Sequence, residues 1–293
     1  MYDIQALYEA TSVANAIELL CAHPEALIIA GGSDILIKLR EGKLAGCSLV
    51  SIFKLDELRG VEMEPDGTLK ILPLTSFSHI TRHPLIQKHV PVLGEAVDQV
   101  GGPQIRNIGT IGGNISNGVT SADSASTLFA LDAQVEITGP KGVRNLPIPD
   151  FYQGPGRVDL QPGELVTAIR IQKESYENCY GHYIKYAMRN AMDIATTGCS
   201  CNVVLSQDKA TIQRLRLAFG VAGPVPMRCH EAEAAVQGAP VCESTLELLA
   251  QQALKEVKPR TSWRASKEFR LQLVEELSKR AARECIQLAG GAL

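Results

Sequence analysis

Aromatic residues are scarce in this chain of 293 residues, at 5% with a single tryptophan, and no charge of one sign dominates: the formal net charge is -3. So small an imbalance gives no general attraction for nucleic acid or an anionic membrane surface, and the expected partners are proteins and small molecules. No apolar run approaches the roughly 20 residues of a membrane span, and the opening residues lack a basic start followed by an apolar core, so a cytoplasmic location is expected. The eight cysteines form no C-x-x-C pair, which argues against zinc or iron–sulfur ligation on this chain. The closest pair, Cys199-Ser-Cys201, lies in an alternating apolar segment and reads as two small thiols on one face of a strand. His79 and His83 have the spacing of a helical metal pair, but no Glu follows the first and Pro84 ends the segment, so they read as a solvated helix face. No metal-binding residue is expected.

What the chain does have is length for two domains and a sizeable core, with 45% hydrophobic and 21% charged residues. It also has glycine in two telling places. From Gly101 to Asp123 the sequence runs GGPQIRNIGTIGGNISNGVTSAD, with glycine, hydroxyl and amide residues crowded together. Gly109, Gly112, Gly113 and Gly118 can take positive φ and carry no Cβ, so main-chain N–H groups can approach a ligand's phosphate oxygens. The shorter Ala30-Gly31-Gly32-Ser33-Asp34 follows the apolar run Leu27-Ile28-Ile29 and precedes an amphipathic segment, which suits an anion at a strand-to-helix turn. Two such turns about eighty residues apart suggest an elongated ligand with a diphosphate in the middle. Neither is a standard dinucleotide motif or a P-loop, and either one alone could be a tight surface connection.

In chain order, Thr11 or Ser12 caps a helix through Val13, Ala16, Ile17 and Leu20; Leu27–Ala30 and Ser48–Ile52 are short strands; and Ser33 caps a helix between them. That order predicts a small parallel sheet. Leu69–Leu72 is a strand, Pro91–Val100 a helix, and Ala122–Leu131 a helix entered through Ser121. Residues 135–138, 143–146 and 164–171 read as an antiparallel sheet, with the long central loop in a crevice between the two units. After a composition shift near 173–181 come strands at 183–188, 196–206 and 212–221, the last with Leu215, Leu217, Phe219 and Val221 on one face. A helix with a Ser244/Glu247 capping box and a final helix from about Ala265, ended by Gly290-Gly291, complete an α+β unit.

The combination of Ala-Gly-Gly-Ser-Asp at 30–34, Gly-Pro-Gln-Ile-Arg-Asn-Ile-Gly-Thr-Ile-Gly-Gly-Asn at 102–114 and Ser-Ala-Asp at 121–123 resembles the flavoprotein subunit of the molybdenum hydroxylases. Within that group it is most similar to the FAD-binding subunit of bacterial three-subunit xanthine dehydrogenases. Residues 185–194 and 259–270 resemble the same subunits, so the likeness spans nearly the whole chain. It implies an α+β chain: an FAD-binding domain of two α/β subdomains (PCMH-type) at 1–175, then a C-terminal α+β domain of the CO dehydrogenase flavoprotein type at 180–293.

The resemblance also implies an FAD site. Leu27, Ile28, Ile29, Ala30, Gly31, Gly32, Ser33 and Asp34 would hold the diphosphate with Thr110, Ile111, Gly112, Gly113 and Asn114. Asp123 would lie near the ribityl and diphosphate region, Val166 (or its neighbour Leu165) on the flavin ring, and Lys185 at the ring edge. Without the family, Val166 is a strand core residue, Lys185 a solvated strand charge, and Asp34 and Asp123 helix N-terminal carboxylates. Phe269 stands where many relatives have tyrosine. The implied role is electron transfer: a substrate hydroxylated on a large molybdopterin-bearing partner, iron–sulfur clusters on a small partner, and NAD⁺ reduced at the FAD of this chain. No acid or base catalyst is named. The alternatives are a flavin subunit serving an aldehyde, carbon monoxide or nicotinate-like substrate, a free-standing flavin oxidoreductase, and an assembly subunit without flavin.

Overall fold

The first fifty residues sort themselves by short apolar runs separated by one helical period. The computed structural model, which describes residues 2–293, shows β1 (Ile4–Glu9), α1 (Val13–Ala22), β2 (Leu27–Ile29), α2 (Ile35–Arg40) and β3 (Cys47–Ser51). The strands form a parallel sheet in the order β1-β3-β2, as the β–turn–α–β pattern predicts. Ser12 is the cap of α1, its Oγ accepting the Asn15 N–H at 3.0 Å. Ser33, by contrast, does not cap α2. The residue before that helix is Asp34, whose φ of -100° and ψ of -44° are already helical and which makes no side-chain cap bond. β1 gave no signal because, at a sheet edge, its residues only alternate between half-buried and exposed.

The second unit is built on β4 (Val61–Met63), β5 (Leu69–Ile71), β6 (Gln134–Gly139), β7 (Gly142–Pro147) and, after a small hairpin of β8 (Tyr152–Gly154) and β9 (Arg157–Val158), β10 (Leu165–Ile171). These make an antiparallel sheet in the order β4-β5-β10-β6-β7. Between β5 and β6 lie α3 (Phe77–Arg82), α4 (Pro84–His89), α5 (Pro91–Asp98), α6 (Pro103–Ile108), α7 (Ile111–Ser116) and α8 (Asp123–Ala130), with α9 (Ile148–Phe151) and α10 (Lys173–Tyr176) later. The long central stretch is therefore not an open loop but two short helices and a turn. Helix α8 starts after Ala122, not Ser121, and every one of its residues is buried. Its position between the second and third sheets, touching the strands of the latter, explains why no face is polar.

The third unit contains β11 (Tyr180–Tyr186), β12 (Thr197–Leu205), β13 (Ile212–Gly220) and β14 (Met227–Arg228) in an antiparallel sheet, covered by α11 (His230–Val236), α12 (Glu243–Glu256) and α13 (Lys267–Leu288). Cys199 and Cys201 share one face of β12, as the alternation predicts; that face is the core, and the Cys285 thiol donates to the Cys201 carbonyl at 3.0 Å. Leu215, Leu217 and Phe219 share the buried face, but β13 stops at Gly220. Val221 has φ of 64° and donates its N–H to Thr120 O at 3.1 Å instead. Helix α12 begins after Cys242, so Ser244 lies inside its first turn and the expected capping box is not formed. Ser266 caps α13, accepting the Phe269 N–H at 3.1 Å.

Three apolar cores follow these units, and two of them meet at β10. Leu165 belongs to the core of the first unit, with Val50, Ile52 and Leu74, whereas the next residue, Val166, belongs to the core of the second. Successive side chains of a strand point to opposite faces, so one strand closes both cores and leaves a crevice at its beginning.

Candidate functional site

The crevice has a volume of about 980 Å³ and is walled by the end of β2, the turn 30–34, the region 100–123, the start of β10 and residues 192–194 of the third unit. The two glycine turns meet on its floor. A Cβ on Gly31 would lie 1.9 Å from the Ile108 carbonyl oxygen and 3.4 Å from Gly109 Cα, so only glycine allows the turns to touch. Gly32, with φ of 76°, reverses the chain in a conformation that side-chain-bearing residues avoid. Among the described residues, no protein group accepts the N–H of Gly31, Gly32, Ser33 or Asp34. Four neighbouring amides with no internal partner, on a turn that lines the crevice, form a concavity suited to an anion's oxygens.

The second turn is built differently. The N–H groups of Ile111 and Gly112 donate to the carbonyls of Thr75 (3.1 Å) and Pro73 (2.9 Å), and that of Asn114 donates to Thr110 O (2.9 Å). The Gly113 N–H donates to Thr110 Oγ1 at 3.2 Å, so Thr110 caps α7. Gly112 and Gly113 sit in that helix, Gly109 has φ of -66°, and of the four glycines expected to use positive φ only Gly118 does, at 66°. The glycine at 112 serves packing: a Cβ there would lie 2.4 Å from Pro73 Cβ and 2.8 Å from its carbonyl oxygen. At 113 a Cβ would approach only Thr110 Oγ1, at 2.9 Å. What this turn offers the crevice is space and side chains. Asn114 Oδ1 accepts the Ser124 hydroxyl at 2.6 Å, and Lys38 Nζ reaches from α2 to Asn117 Oδ1 at 3.0 Å.

Of the residues singled out in the sequence, Leu27 to Asp34, Thr110, Gly112, Gly113, Asn114, Asp123 and Val166 all line the crevice. Ile111 and Lys185 do not. Ile111 is fully buried in the second core, with its amide already used. Lys185 lies behind Asp123 and is no solvated strand charge: its side chain is 8% exposed, and its Nζ donates to Asp123 Oδ2 at 2.8 Å and to Gln99 O at 2.9 Å. Tyr183 donates its hydroxyl to Asp123 Oδ1 at 2.7 Å. Burial pushes the Asp123 carboxyl above its ordinary pKa, while the Lys185 ammonium and the Tyr183 hydroxyl pull it back. Burial beside that carboxylate raises the Tyr183 hydroxyl well above 10. The wall thus carries a compensated ion pair, with Asp123 as the member that reaches the crevice.

Sequence reasoning missed Met192, Asp193 and Ile194, which close the crevice from the connection between β11 and β12. Met192 has φ of 54°, held by Arg189, whose guanidinium donates to its carbonyl at 2.7 Å and whose N–H donates to Asp193 Oδ2 at 3.1 Å. The available signal was Met188, Met192 and Ile194, three large apolar residues in a strand connection otherwise made of alanine and polar residues.

The family described as the FAD binding domain in molybdopterin dehydrogenase matches residues 2–173, and the CO dehydrogenase flavoprotein C-terminal domain matches residues 182–285. The chain belongs to the FAD-binding subunits of the molybdenum hydroxylases. It is 44% identical over 293 residues to the xanthine dehydrogenase FAD-binding subunit of Escherichia coli O157:H7, covering 100% of both chains. It is 34% identical over 223 residues to the nicotinate dehydrogenase FAD-subunit of Eubacterium barkeri, covering 75% of this chain and 74% of the relative. Among solved structures, a chain of carbon monoxide dehydrogenase from Hydrogenophaga pseudoflava superimposes with a TM-score of 0.92 at 26% identity, covering 99% of each. For such an FAD-binding subunit the two units that share β10, and the third packed on α8, are the family's fold. No helix among the described residues is long and apolar enough to cross a membrane.

Proposed function

We propose that the crevice holds FAD and that the chain relays electrons in a xanthine dehydrogenase-like molybdenum hydroxylase. The four unengaged amides of Gly31 to Asp34, on a turn that lines the crevice and meets the second glycine stretch at Ile108, carry this reading. They suit the diphosphate, which Asn114 and the Cβ-free side of Gly113 would flank; Thr110 would contribute by holding Gly113 in place. Val166, with Leu165 as its neighbour, would offer the ring an apolar seat. The volume of about 980 Å³ lies at the upper end of the range for cofactor-sized ligands, about 300–1,000 Å³. The residues therefore fit the group. Bound there, FAD would supply the exchange between single electrons from a partner's clusters and the hydride taken by NAD⁺.

The chain's own contribution is positioning. Asp123 would present one buried carboxylate whose charge Lys185 balances, so the pair fixes the local field without leaving a lone ion in the wall. Ile111 would act only through the core that holds α7. Residues 1–175 would form the FAD-binding domain and 180–293 the C-terminal domain. The iron–sulfur clusters would reside on a small partner chain and the molybdopterin on a large one, in a cytoplasmic complex. A nicotinate-like substrate is the second reading, favoured by the likeness to the Eubacterium barkeri subunit; the pocket of the large chain would decide between them.

The chain purified alone is expected to show a flavin spectrum near one FAD per chain. A colourless chain that also fails to bind added FAD would overturn the site. In the assembled complex, NAD⁺ reduction driven by xanthine is expected, and substrate oxidation that reduces only oxygen or a dye would remove NAD⁺ as acceptor.

A further inference from the structure

Beside the crevice, the C-terminal unit carries six large apolar side chains that are open to solvent. Trp263 is 77% exposed, Met188 63%, Met192 58% and Ile194 47%. Tyr186 and Phe269 meet edge to face at 5.7 Å, and both remain open to solvent. These residues come from the end of β11, the connection that follows it, and the segment leading into α13. Arg270, itself buried, ties those segments together: its guanidinium donates to Thr196 O at 3.2 Å, to Ser262 Oγ at 2.8 Å and to the Arg260 carbonyl. The surface is thus fixed before any partner arrives, which lowers the ordering cost of binding.

The segments that carry it are mostly cationic. Residues 186–196 and 258–269 hold Arg189, Lys258, Arg260, Arg264 and Lys267 against Asp193 and Glu268, although the chain as a whole carries -3. Asp193 already faces Arg189 at 3.8 Å, and Arg264 lies over the Trp263 ring at 4.2 Å. Apolar centres with polar rims mark interaction surfaces, and tryptophan and arginine are the residues that most often dominate their energetics.

We propose that this patch is the docking surface for the iron–sulfur partner chain, which would meet it with an acidic face around an apolar centre; the proposal rests on the functional reading above. Two observations choose that occupant. The cationic rim selects a partner of opposite charge, and it disfavours a second copy, since a two-fold contact would set this rim against itself. Met192 and Ile194 belong both to the patch and to the wall of the crevice, so a chain seated there lies against the cofactor's entrance, where an electron carrier has to be.

The test is co-expression of the chain with its iron–sulfur and molybdenum partners, comparing wild type with Trp263→Glu and, separately, Arg260→Ala/Arg264→Ala. Both changes lie outside the crevice, so flavin content per chain is expected to stay at the wild-type level. Trp263→Glu is expected to lower the co-purified iron–sulfur chain at least tenfold, and the double variant to weaken retention most at low salt. Full retention of that chain by Trp263→Glu, or loss of the molybdenum chain while the iron–sulfur chain stays, would overturn the surface alone. So would a change confined to self-association. A wild-type chain that binds FAD but co-purifies with no iron–sulfur chain would overturn the functional reading as well.

Discussion

The two glycine turns look alike in sequence and are opposite in construction. At 30–34 the glycines free the backbone: Gly32 takes φ of 76°, and the neighbouring amides are left without protein acceptors. At 110–114 the backbone is helical and its amides are engaged, and the glycine at 112 exists so that Pro73 can pack against it. A glycine is therefore required for two reasons, a positive φ as at Gly32 and close approach by the rest of the protein as at Gly31 and Gly112, and only the contacts tell them apart.

Substitutions at three of these glycines separate the causes. Gly31→Val is expected to have the largest effect, because its Cβ would fall on a backbone oxygen that no rotamer can move. Stability should fall by at least the upper end of the about 1–3 kcal/mol that overpacking costs, and bound FAD should be lost, as thermal unfolding and the flavin spectrum would report. Gly112→Val should destabilise the apo chain by a similar order, about 1–3 kcal/mol, through Pro73, and lose flavin only as a consequence. An apo chain of unchanged melting temperature would show that position 112 faces the ligand after all. Gly113→Ala should do the reverse. Replacing a helical glycine by alanine stabilises by about 0.5–1 kcal/mol, which would offset the tight approach to Thr110, so the apo chain should melt near wild type while FAD binds at least tenfold more weakly.

The smallest effect concerns the joint between α5 and β11, away from both turns. The Glu95 carboxylate, 3.0 Å from His182, raises the imidazole's pKa above its ordinary 6.5 against the opposing effect of burial. Because the folded value is raised, the pair's stabilisation is complete below pH 6.5 and fades as pH rises through the raised value. His182→Gln should therefore lower the melting temperature more at pH 6 than at pH 8.5. Equal losses at both would mean that the pair contributes through packing alone.

Much of this architecture was legible before any coordinates. The β–turn–α–β pattern gives the parallel sheet, the alternation at 196–206 puts both cysteines on one face of a strand, and Thr11 or Ser12 announces the first helix. The misses share a cause. Ser33, Ser121 and Ser244 are good cap residues by type, but the helix start was decided by where the chain enters from a neighbouring strand or turn. Lys185 looked like a solvated charge because its strand alternates, and only the packing of β11 behind α8 brings it to Asp123, 62 residues away.

By itself the sequence determined the element types, the two turns and the family, because periodicity and glycine placement are local properties that each segment carries with it. The tertiary structure alone decided which glycine meets Ile108 and which meets Pro73, which carboxylate Lys185 neutralises, and that Met192 to Ile194 close the crevice. Those are contacts between residues distant along the chain, and no spacing within a single segment can encode a distance to another.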